Sequence, residues 1–285
     1  MGVQMSFYLG VDGGGTGCRA AVSEDGGRIV GRGQAGPANI VTDPDGARAN
    51  IVRAVEQAIA GTGATLRSLH AVLGLAGANL PDYSARLADT LPFATTRIES
   101  DAVIALKGAI GNDDGVVVTL GTGSAFTGQI DGKVKTIGGW GLVLGDEASG
   151  AWLGRALLAR ALLAIDGLVP MTGLLESVID DHGRPEELVE LARKATPSVF
   201  GAYAPRILEA EDDPAARTIL GLADRWITRC IDLLAPAGDM PVTFVGGLGP
   251  QFARRLSGRY GNRVLKPRGT ALDGALWMAR QAEAA

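Results

Sequence analysis

Two short stretches rich in glycine and hydroxyl groups follow predicted buried strands, and both could hold phosphate. The first is Gly13-Gly14-Gly15-Thr16, directly after Asp12, and the second is Gly121-Thr122-Gly123-Ser124. Glycine lets the backbone approach a ligand closely and adopt positive φ, so that successive N–H groups can converge on an anion. The first stretch has neither the spacing of a Walker loop nor that of a dinucleotide fingerprint, and no helix pattern follows it. Each loop alone is equally compatible with an ordinary tight hairpin.

Two aspartates lie where phosphoryl transfer would need a carboxylate. Asp12 would repel a neighbouring phosphate unless a cation lay between them, so we expect Asp12 to bind Mg²⁺ through water, with a turn-capping role as the alternative. Asp101 follows a predicted strand and begins a helix. It is either a helix N-cap or a base that orients an attacking hydroxyl and accepts its proton late in a loose transition state.

Further acids and glycines occur in residues 138–152, GGWGLVLGDEASGAW. Asp146 and Glu147 are predicted to begin an apolar helix, where acids suit the helix dipole. The stretch contains more glycines than a cap requires, which predicts backbone wrapped closely round a ligand. Gly246 and Gly247 end another predicted strand, either as a simple turn or as a place for the flat face of a base.

The elements that must position these residues follow an α/β pattern. The predicted elements are strand 7–11, two strands on either side of the Asp25-Gly26 turn, helix 44–63, strand 69–77, helix 81–91, strand 95–100 and helix 102–110. Three strands followed by alternating helix and strand favour the α/β class.

The pattern restarts in residues 115–137, which again read as strand, Gly/Thr/Ser loop, strand, Asp-Gly turn and strand. Gly13 aligns with Gly121, and Asp25-Gly26 with Asp131-Gly132, at nearly the same offset. A chance coincidence of glycine-rich turns is the alternative. Because loop, turn and strand order repeat together, we predict two halves that grip a triphosphate from two sides. A mostly helical stretch at about 147–236, a strand within 241–249 that ends in glycines and a closing helix complete the chain.

Composition limits the classes of protein. The chain has 285 residues, is 46% hydrophobic and carries a net charge of −4, which predicts a soluble globular protein and gives no electrostatic case for nucleic acid or an anionic membrane. Cys18 and Cys230 lie far apart, which argues against a disulfide framework, zinc or an iron–sulfur cluster and favours the reducing cytoplasm. No apolar run is long enough for a membrane span. The opening MGVQMS matches a myristoylation pattern, which we interpret as a chance match. His70 and His182 have no motif around them and are interpreted as structural or surface residues.

This ordered set of motifs resembles the sugar kinase/Hsp70/actin superfamily. It is most similar to the BadF/BadG/BcrA/BcrD ATPase-type branch, which contains N-acetylglucosamine kinases and bacterial glucosamine kinases. The markers run over nearly the whole chain and are GVDGGGTGCRA, GPANI, LGLAGA, ESDAVIAL, TLGTGSAF, GGWGLVLGDEASG, FVGGLG and KPRGTALDGAL. The resemblance implies a two-lobed actin-like ATPase fold, ribonuclease H-like in each lobe, with a duplicated βββαβαβα core. The first lobe would span 1–112 and the second 113–285, with ATP in the cleft between them and the final helix, about 271–285, packing back on the first lobe.

The resemblance also implies roles for individual residues. Asp12 would hold Mg²⁺, and Asp101 would be the general base and contact the sugar. The remaining matches are Gly13, Gly14, Gly15 and Thr16 on one side of the phosphates, Gly121, Thr122, Gly123 and Ser124 on the other, Gly246 and Gly247 in the adenosine pocket, and Asn39, Gly139 and Asp146 at the sugar. It further implies ATP and Mg²⁺ as cofactors, a small amino sugar as substrate and a homodimer.

The activity expected from the resemblance is transfer of the ATP γ-phosphate to the 6-hydroxyl of glucosamine or N-acetylglucosamine. GCRA and GPANI are nearer to glucosamine kinases, whereas Trp140 and Glu147 are nearer to the N-acetylglucosamine kinase form. One alternative is a BadF-type activator ATPase of a radical dehydratase, which would need cysteines for an intersubunit cluster. The other is a non-catalytic sugar sensor, which normally carries a DNA-binding helix-turn-helix, and none precedes the first strand.

Overall fold

The computed structural model describes residues 6–281. The myristoylation pattern at Gly2 and the last four residues of the predicted final helix lie outside the described residues. The chain folds into two compact units: unit 1 comprises residues 1–117, 129–134 and 266–285, and unit 2 comprises 118–128 and 135–265. The predicted lobe boundary between residues 112 and 113 stays a prediction.

Ten strands form two sheets within the described residues. In chain order they are β1 (Phe7–Gly13), β2 (Cys18–Glu24), β3 (Ile29–Ala35), β4 (Leu69–Leu75), β5 (Thr95–Ser100), β6 (Gly115–Leu120), β7 (Ser124–Ile130), β8 (Lys133–Gly138), β9 (Val242–Val245) and β10 (Val264–Leu265). The first sheet has the order β3-β2-β1-β4-β5 and the second β10-β9-β6-β7-β8. If the second order is written in reverse, β8, β7, β6, β9 and β10 take the places of β3, β2, β1, β4 and β5. The two sheets therefore have the same topology.

Twelve α-helices complete the part of the chain that the structure describes. They are α1 (Pro44–Ile59), α2 (Pro81–Ala88), α3 (Asp101–Ile110), α4 (Gly150–Ile165), α5 (Gly173–His182), α6 (Pro185–Lys194), α7 (Pro197–Gly201), α8 (Ala204–Glu209), α9 (Pro214–Leu234), α10 (Gly249–Arg255), α11 (Ser257–Tyr260) and α12 (Ala271–Gln281). In both halves three strands are followed by alternating helical segments and strands, which confirms the predicted α/β class. The helical segments are single α-helices in the first half, whereas in the second half α4 to α9 lie between β8 and β9, and α10 and α11 between β9 and β10. None of these helices is long and apolar enough to cross a bilayer.

In the first sheet, β1 pairs antiparallel with β2 and parallel with β4, and β4 pairs parallel with β5. The parallel register sets Asp12 opposite Gly74 and Leu75 opposite Ser100. The carboxyl ends of β1, β4 and β5 therefore lie at one edge of the sheet. Ligand sites of open α/β sheets lie at this edge.

Helices cover both faces of this sheet. On one face, Leu9, Val11 and Leu73 pack with Ile51 and Val55 of α1. The apolar residues of the opposite face come from the sheet, α3 and α12, and include Tyr8, Val72, Ile104, Leu272, Leu276 and Met278. Burial of both faces leaves the strand ends as the accessible part of the sheet.

Serines are the N-caps of α3 and α4, two helices that the sequence predicted to begin with acidic residues. Ser100 accepts a hydrogen bond from the Val103 N–H at 3.3 Å and is the N-cap of α3. Ser149 accepts one from the Trp152 N–H at 3.1 Å and is the N-cap of α4. The N-cap interpretation of Asp101 is therefore wrong, and helix α4 begins after the acids that were expected to start it.

Candidate functional site

The first glycine loop lies between β1 and β2 and is closed by its own backbone. The Gly14 N–H donates to the Gly17 carbonyl at 2.9 Å, and the Gly14 carbonyl accepts from the Ala38 N–H at 2.9 Å. No other atom lies within 4 Å of the position that a Cβ would take at Gly14 or Gly15. Gly15 and Thr16 are exposed. This part of the loop is therefore open to a ligand.

Close approach, and not positive φ, is what the glycines of this loop provide. A Cβ at Gly13 would lie 2.7 Å from Leu75 Cδ2 and 2.9 Å from Ala38 Cβ, so no larger residue fits there. Among the described glycines with positive φ, none comes from residues 13–17. The loop turns within ordinary backbone conformations because the neighbouring segments bind its carbonyls.

Asp12 lies at the carboxyl end of β1, directly before this loop. Its side chain is 25% exposed, and its nearest cation is Arg19 on β2, with 3.9 Å between guanidinium and carboxylate. Burial raises the pKa of Asp12 above its ordinary value, and Arg19 opposes that shift. Within residues 6–281 the carboxylate accepts no hydrogen bond from the loop, so the turn-capping alternative is wrong.

The donor chemistry of Asp12 fits the predicted Mg²⁺. No group of three or more His, Cys, Asp or Glu side chains that could hold a metal occurs in the described part of the chain. Mg²⁺ does not require such a cage, because it keeps several waters and takes one or two carboxylates together with substrate phosphates. A single partly exposed carboxylate beside a phosphate loop matches that ligand set.

Asp101 is the first residue of α3, at the carboxyl end of β5. Its side chain is exposed, and its Oδ1 accepts a hydrogen bond from the Ala102 N–H at 2.9 Å. The parallel register of β1, β4 and β5 brings Asp12 and Asp101 to the same edge of one sheet. Because Ser100 caps the helix, capping does not explain an acid at position 101.

Asn39 lies in unit 1, in the loop between β3 and α1. Its Oδ1 accepts hydrogen bonds from the N–H groups of Val41 at 3.0 Å and Thr42 at 3.2 Å. The same loop is joined to the end of β4 by a hydrogen bond from the Ile40 N–H to the Ala76 carbonyl. Since the side-chain oxygen is used locally, a sugar contact of Asn39 would come from its NH₂ group.

The second glycine loop lies in unit 2 between β6 and β7, and the start of α4 holds it. The carbonyls of Gly121 and Thr122 accept from the N–H groups of Gly150 at 2.8 Å and Ala151 at 3.2 Å. These are the first amides of α4, which have no partner within the helix. The helix thereby fixes the carbonyl side of the loop.

Ser124 has a structural bond that the sequence did not indicate. Its hydroxyl is buried and donates to the Glu147 carbonyl at 2.8 Å. A phosphate contact from residue 124 would therefore need a group other than this hydroxyl, or a change of its partner. Thr122 has no such bond within residues 6–281.

Asp146 ties the segment 138–149 to the beginning of β7. Its carboxylate is buried and accepts from the Gly141 N–H at 3.2 Å. Burial raises the pKa of Asp146, while the N–H groups of Gly141 and Ser124 lower it. The backbone is in the left-handed region at Asp146 (φ 57°) and Ala148 (φ 66°), a conformation that costs energy outside glycine.

Gly139 and the tip of the same segment are exposed, whereas Asp146 is buried. The Gly139 N–H donates to the Ser124 carbonyl at 3.0 Å. Trp140, Val143 and Leu144 expose 66, 88 and 85% of their surface. The segment thus has a buried polar base at Asp146 and an exposed apolar tip.

Gly246 and Gly247 follow β9 in unit 2. A Cβ at Gly246 would overlap the Leu120 carbonyl, and φ is 85° there. Gly247 is exposed, with no atom within 4 Å of its Cβ position. Gly246 is therefore required by packing against the end of β6, whereas Gly247 leaves open surface.

Sequence reasoning missed Arg19 as a neighbour of Asp12. The signal was available, because an antiparallel hairpin between residues 7–13 and 18–24 sets residue 12 opposite residue 19. It was overlooked because the loop glycines, and not the hairpin register, guided the interpretation.

The fold defines the class of protein. Two mixed five-stranded sheets with helices, in the repeated order given above, form the α/β two-lobed fold of the actin-like sugar kinases. The chain belongs to the BadF/BadG/BcrA/BcrD ATPase family, whose model matches residues 9–253.

Relatives and solved structures agree with this membership. The chain is 31% identical to a glucosamine kinase of Vibrio cholerae serotype O1 over 286 aligned positions, which cover 98% of this chain and 97% of the relative. Its fold is similar to that of a Chromobacterium violaceum protein described as a candidate N-acetylglucosamine kinase, with a TM-score of 0.90, 30% identity and coverage of 96% and 99% of the two chains. A glucokinase from Streptomyces griseus in complex with glucose and AMPPNP shares the fold at a TM-score of 0.59 and 23% identity, over 97% of this chain and all of the other.

Proposed function

We propose that this protein is an ATP-dependent amino-sugar kinase that transfers the γ-phosphate to the 6-hydroxyl of glucosamine or N-acetylglucosamine. The observation that carries the proposal is the position of Asp101. It is an exposed carboxylate at the carboxyl edge of the sheet that holds Asp12, and Ser100 makes it unnecessary as a cap. The similarity to a glucosamine kinase over 98% of the chain supports the substrate class.

The proposed roles follow the two glycine loops. Gly13 to Thr16 in unit 1 and Gly121 to Ser124 in unit 2 would contact phosphate oxygens. The N–H groups of Gly14, Gly121 and Ser124 already donate to Gly17, Gly123 and Asp146, so the contacts would come chiefly from the other amides of the two loops. Gly247 leaves room for adenosine, with Gly246 setting the turn. Asn39, Gly139 and Asp146 would contact the sugar, Asp146 chiefly by holding its segment in place. We also propose lobes of 1–112 and 113–285, a homodimer and a cytoplasmic location.

In the proposed mechanism, Asp101 orients the attacking hydroxyl and accepts its proton. A carboxylate can do so because bond formation and proton transfer come late in a loose transition state. Mg²⁺ held through Asp12 would neutralise charge on the phosphates. The backbone N–H groups of the loops need no reorganisation, which favours the charged transition state.

The first prediction tests the base. Asp101→Asn should retain binding of glucosamine and an ATP analogue but lose turnover by about 10²–10⁴-fold, the usual contribution of a positioned base. Calorimetry measures the two affinities, and a coupled ADP-release assay measures turnover. Asp89→Asn, an exposed carboxylate at the end of α2, is the matched control and should leave turnover unchanged. Near-normal turnover of Asp101→Asn would show that the base is wrongly assigned.

The same assay over glucosamine, N-acetylglucosamine, glucose and other hexoses would identify the acceptor. The activator-ATPase alternative is not favoured by any observation. Burial raises the pKa of Cys18 to about 12 and that of Cys230 to about 11. Cluster ligation requires accessible thiolates, which neither residue offers.

A further inference from the structure

A wide-mouthed surface cavity of about 580 Å³, largely open to solvent, lies in the helical part of unit 2, among α5, α7 and α8. Its volume is within the range of small-molecule sites. The apolar part of its wall is formed by Val199, Ala202 and Tyr203. None of the residues assigned above to phosphate, adenosine or sugar lines it, so it is separate from the proposed active site.

Four of the five polar side chains that line the wall, Asp181, His182, Tyr203 and Arg206, form two pairs. Arg206 forms an ion pair with Asp181 and donates to Ser177 Oγ at 2.9 Å. The His182 Nε2 and the Tyr203 hydroxyl are 2.8 Å apart. Because the guanidinium already has its carboxylate, a ligand with a net charge gains little from either.

This wall offers donors and acceptors side by side next to apolar carbon. A guanidinium donates, a carboxylate accepts, and the hydroxyls and imidazole do both. Hydroxyl groups of a ligand also do both, so they can bind through the donor and acceptor positions that the Arg206–Asp181 and His182–Tyr203 pairs leave unused. Val199 and Ala202 offer the apolar surface against which C–H groups of a ring can pack.

Helix α7 connects the cavity to the second glycine loop. Val199 of α7 lines the cavity, while Phe200 and Gly201 pack against α4. A Cβ at Gly154 of α4 would overlap the Phe200 carbonyl, and one at Gly201 would lie 4.0 Å from Thr122 Cγ2. Because α7 packs closely on α4 at Gly154, and the first amides of α4 hold the loop, a shift of α7 would displace α4 and the loop with it.

We propose that this cavity binds a neutral ring compound of monosaccharide size that carries several hydroxyl groups, and that its occupancy alters nucleotide affinity through α7. The second part rests on the phosphate role proposed for the loop at Thr122. The site itself does not depend on that role.

The chain contains only two histidines, which gives the site its own reporter. His182 lines the cavity, whereas His70 lies in unit 1. Histidine-ring NMR signals would be followed during titration with myo-inositol or scyllo-inositol, which are not hexoses and lie outside the proposed acceptor class, and His182→Gln would assign the signals. At least one of these probes should shift the His182 signal saturably and leave the His70 signal in place.

Val199→Trp should place a bulky indole ring in the cavity, occupy part of the space that the ligand needs and weaken this binding at least about tenfold. Val189→Trp on α6, where the valine is 54% exposed and does not line the cavity, should have no effect on the titration. Tyr203→Phe removes the hydroxyl and keeps the ring, and should weaken binding in the same direction. Affinity for AMPPNP, measured with and without the saturating probe, should change about fivefold or more in the wild-type chain and remain constant in Val199→Trp.

A His182 signal that no probe shifts, or a shift that persists unchanged in Val199→Trp, would overturn the site. A saturable shift with an unchanged AMPPNP affinity would overturn the coupling through α7. A saturable shift in a chain that phosphorylates no sugar would support the site while contradicting the kinase proposal, so the two can fail separately.

Discussion

The carboxylate of Asp12, which the proposed mechanism needs for Mg²⁺, is expected to lower the stability of the folded protein. This group is mostly buried, with Arg19 3.9 Å away as its nearest counter-charge, and burial raises its pKa. The unfolded chain therefore ionises Asp12 more readily than the folded chain does. The folded state loses stability as the pH rises from the ordinary aspartate pKa, about 4, through the raised value.

Asp12→Asn should consequently raise the melting temperature at pH 7, by about 2 °C, while abolishing the proposed Mg²⁺-dependent turnover. The gain should shrink as the pH falls below about 4, where the wild-type carboxyl is protonated in both states. Scanning calorimetry across this pH range measures the difference in melting temperature between the variant and the wild-type chain. Asp89→Asn should show no such pH-dependent gain. A difference that grows on acidification would contradict the argument.

Ala148 is buried with φ at 66°, where glycine is the usual residue. Glycine would relieve about 1–2 kcal/mol of left-handed strain. It would lose about 0.8 kcal/mol of methyl burial and about 0.4–1 kcal/mol through unfolded-state entropy. Ala148→Gly should therefore change the free energy of unfolding by less than about 1 kcal/mol.

The matched variant is Ala161→Gly, a buried alanine inside α4 with helical backbone. It has no strain to relieve and should lose about 1.5 kcal/mol from helix entropy and the methyl group together. Chemical denaturation compares the two variants. Equal losses would mean that Ala148 is not strained.

Residue types at the candidate site could be predicted from the sequence, but their partners could not. Asp12, Asp101 and the loop glycines were found because they follow apolar strands. The burial of Asp146 depends on N–H groups of Gly141 and Ser124, which a local pattern does not contain. Only the structure shows that Asp146, an acid predicted to contact the sugar, also binds the backbone of its own segment.

At the scale of elements, α3 and α12 pack with no space for a side chain between them. A Cβ at Gly274 would overlap the Ile104 carbonyl, and a Cβ at Gly108 the Thr270 carbonyl. Gly274→Ala should therefore push the helices apart and cost about 1–3 kcal/mol by overpacking. Because Asp101 begins α3, kcat should fall as well.

Gly221→Ala on α9 is the opposite case. The nearest atom to its Cβ position is Arg225 Nη1 at 3.9 Å, so alanine fits. This variant should gain about 0.5–1 kcal/mol because glycine is a poor helix former. Denaturation and turnover of both variants would separate packing from propensity. A stabilising Gly274→Ala would refute the close helix contact.

The elements of unit 1 were predicted within a few residues because each alternates or repeats its apolar positions clearly. Strand 95–100 was predicted with the bounds that the structure gives. Helix ends were less certain, since Ser100 and Ser149, and not the acids beside them, supply the caps. The short strand Val264–Leu265 was missed because two residues carry no periodicity.

At the scale of the whole molecule, the two units are not two consecutive halves of the sequence. Unit 1 takes residues from both ends of the chain, so its core is incomplete until the last helix is present. Leu272, Leu276 and Met278 of α12 are buried against the first sheet and α3. Arg268, just before that helix, donates to the Ile110 carbonyl at 3.1 Å.

A chain ending at residue 265 should therefore fold unit 2 and fail to fold unit 1. Loss of three large buried side chains removes about 5–9 kcal/mol of apolar stabilisation, comparable to the whole stability of a typical domain. Limited proteolysis with mass spectrometry should find rapid cleavage within residues 6–117 and protection within 135–265. A synthetic peptide of residues 266–285 should restore protection of the first region, whereas a peptide carrying Leu276→Asp should not. Equal protection of both regions without any peptide would show that α12 is dispensable to the core of unit 1.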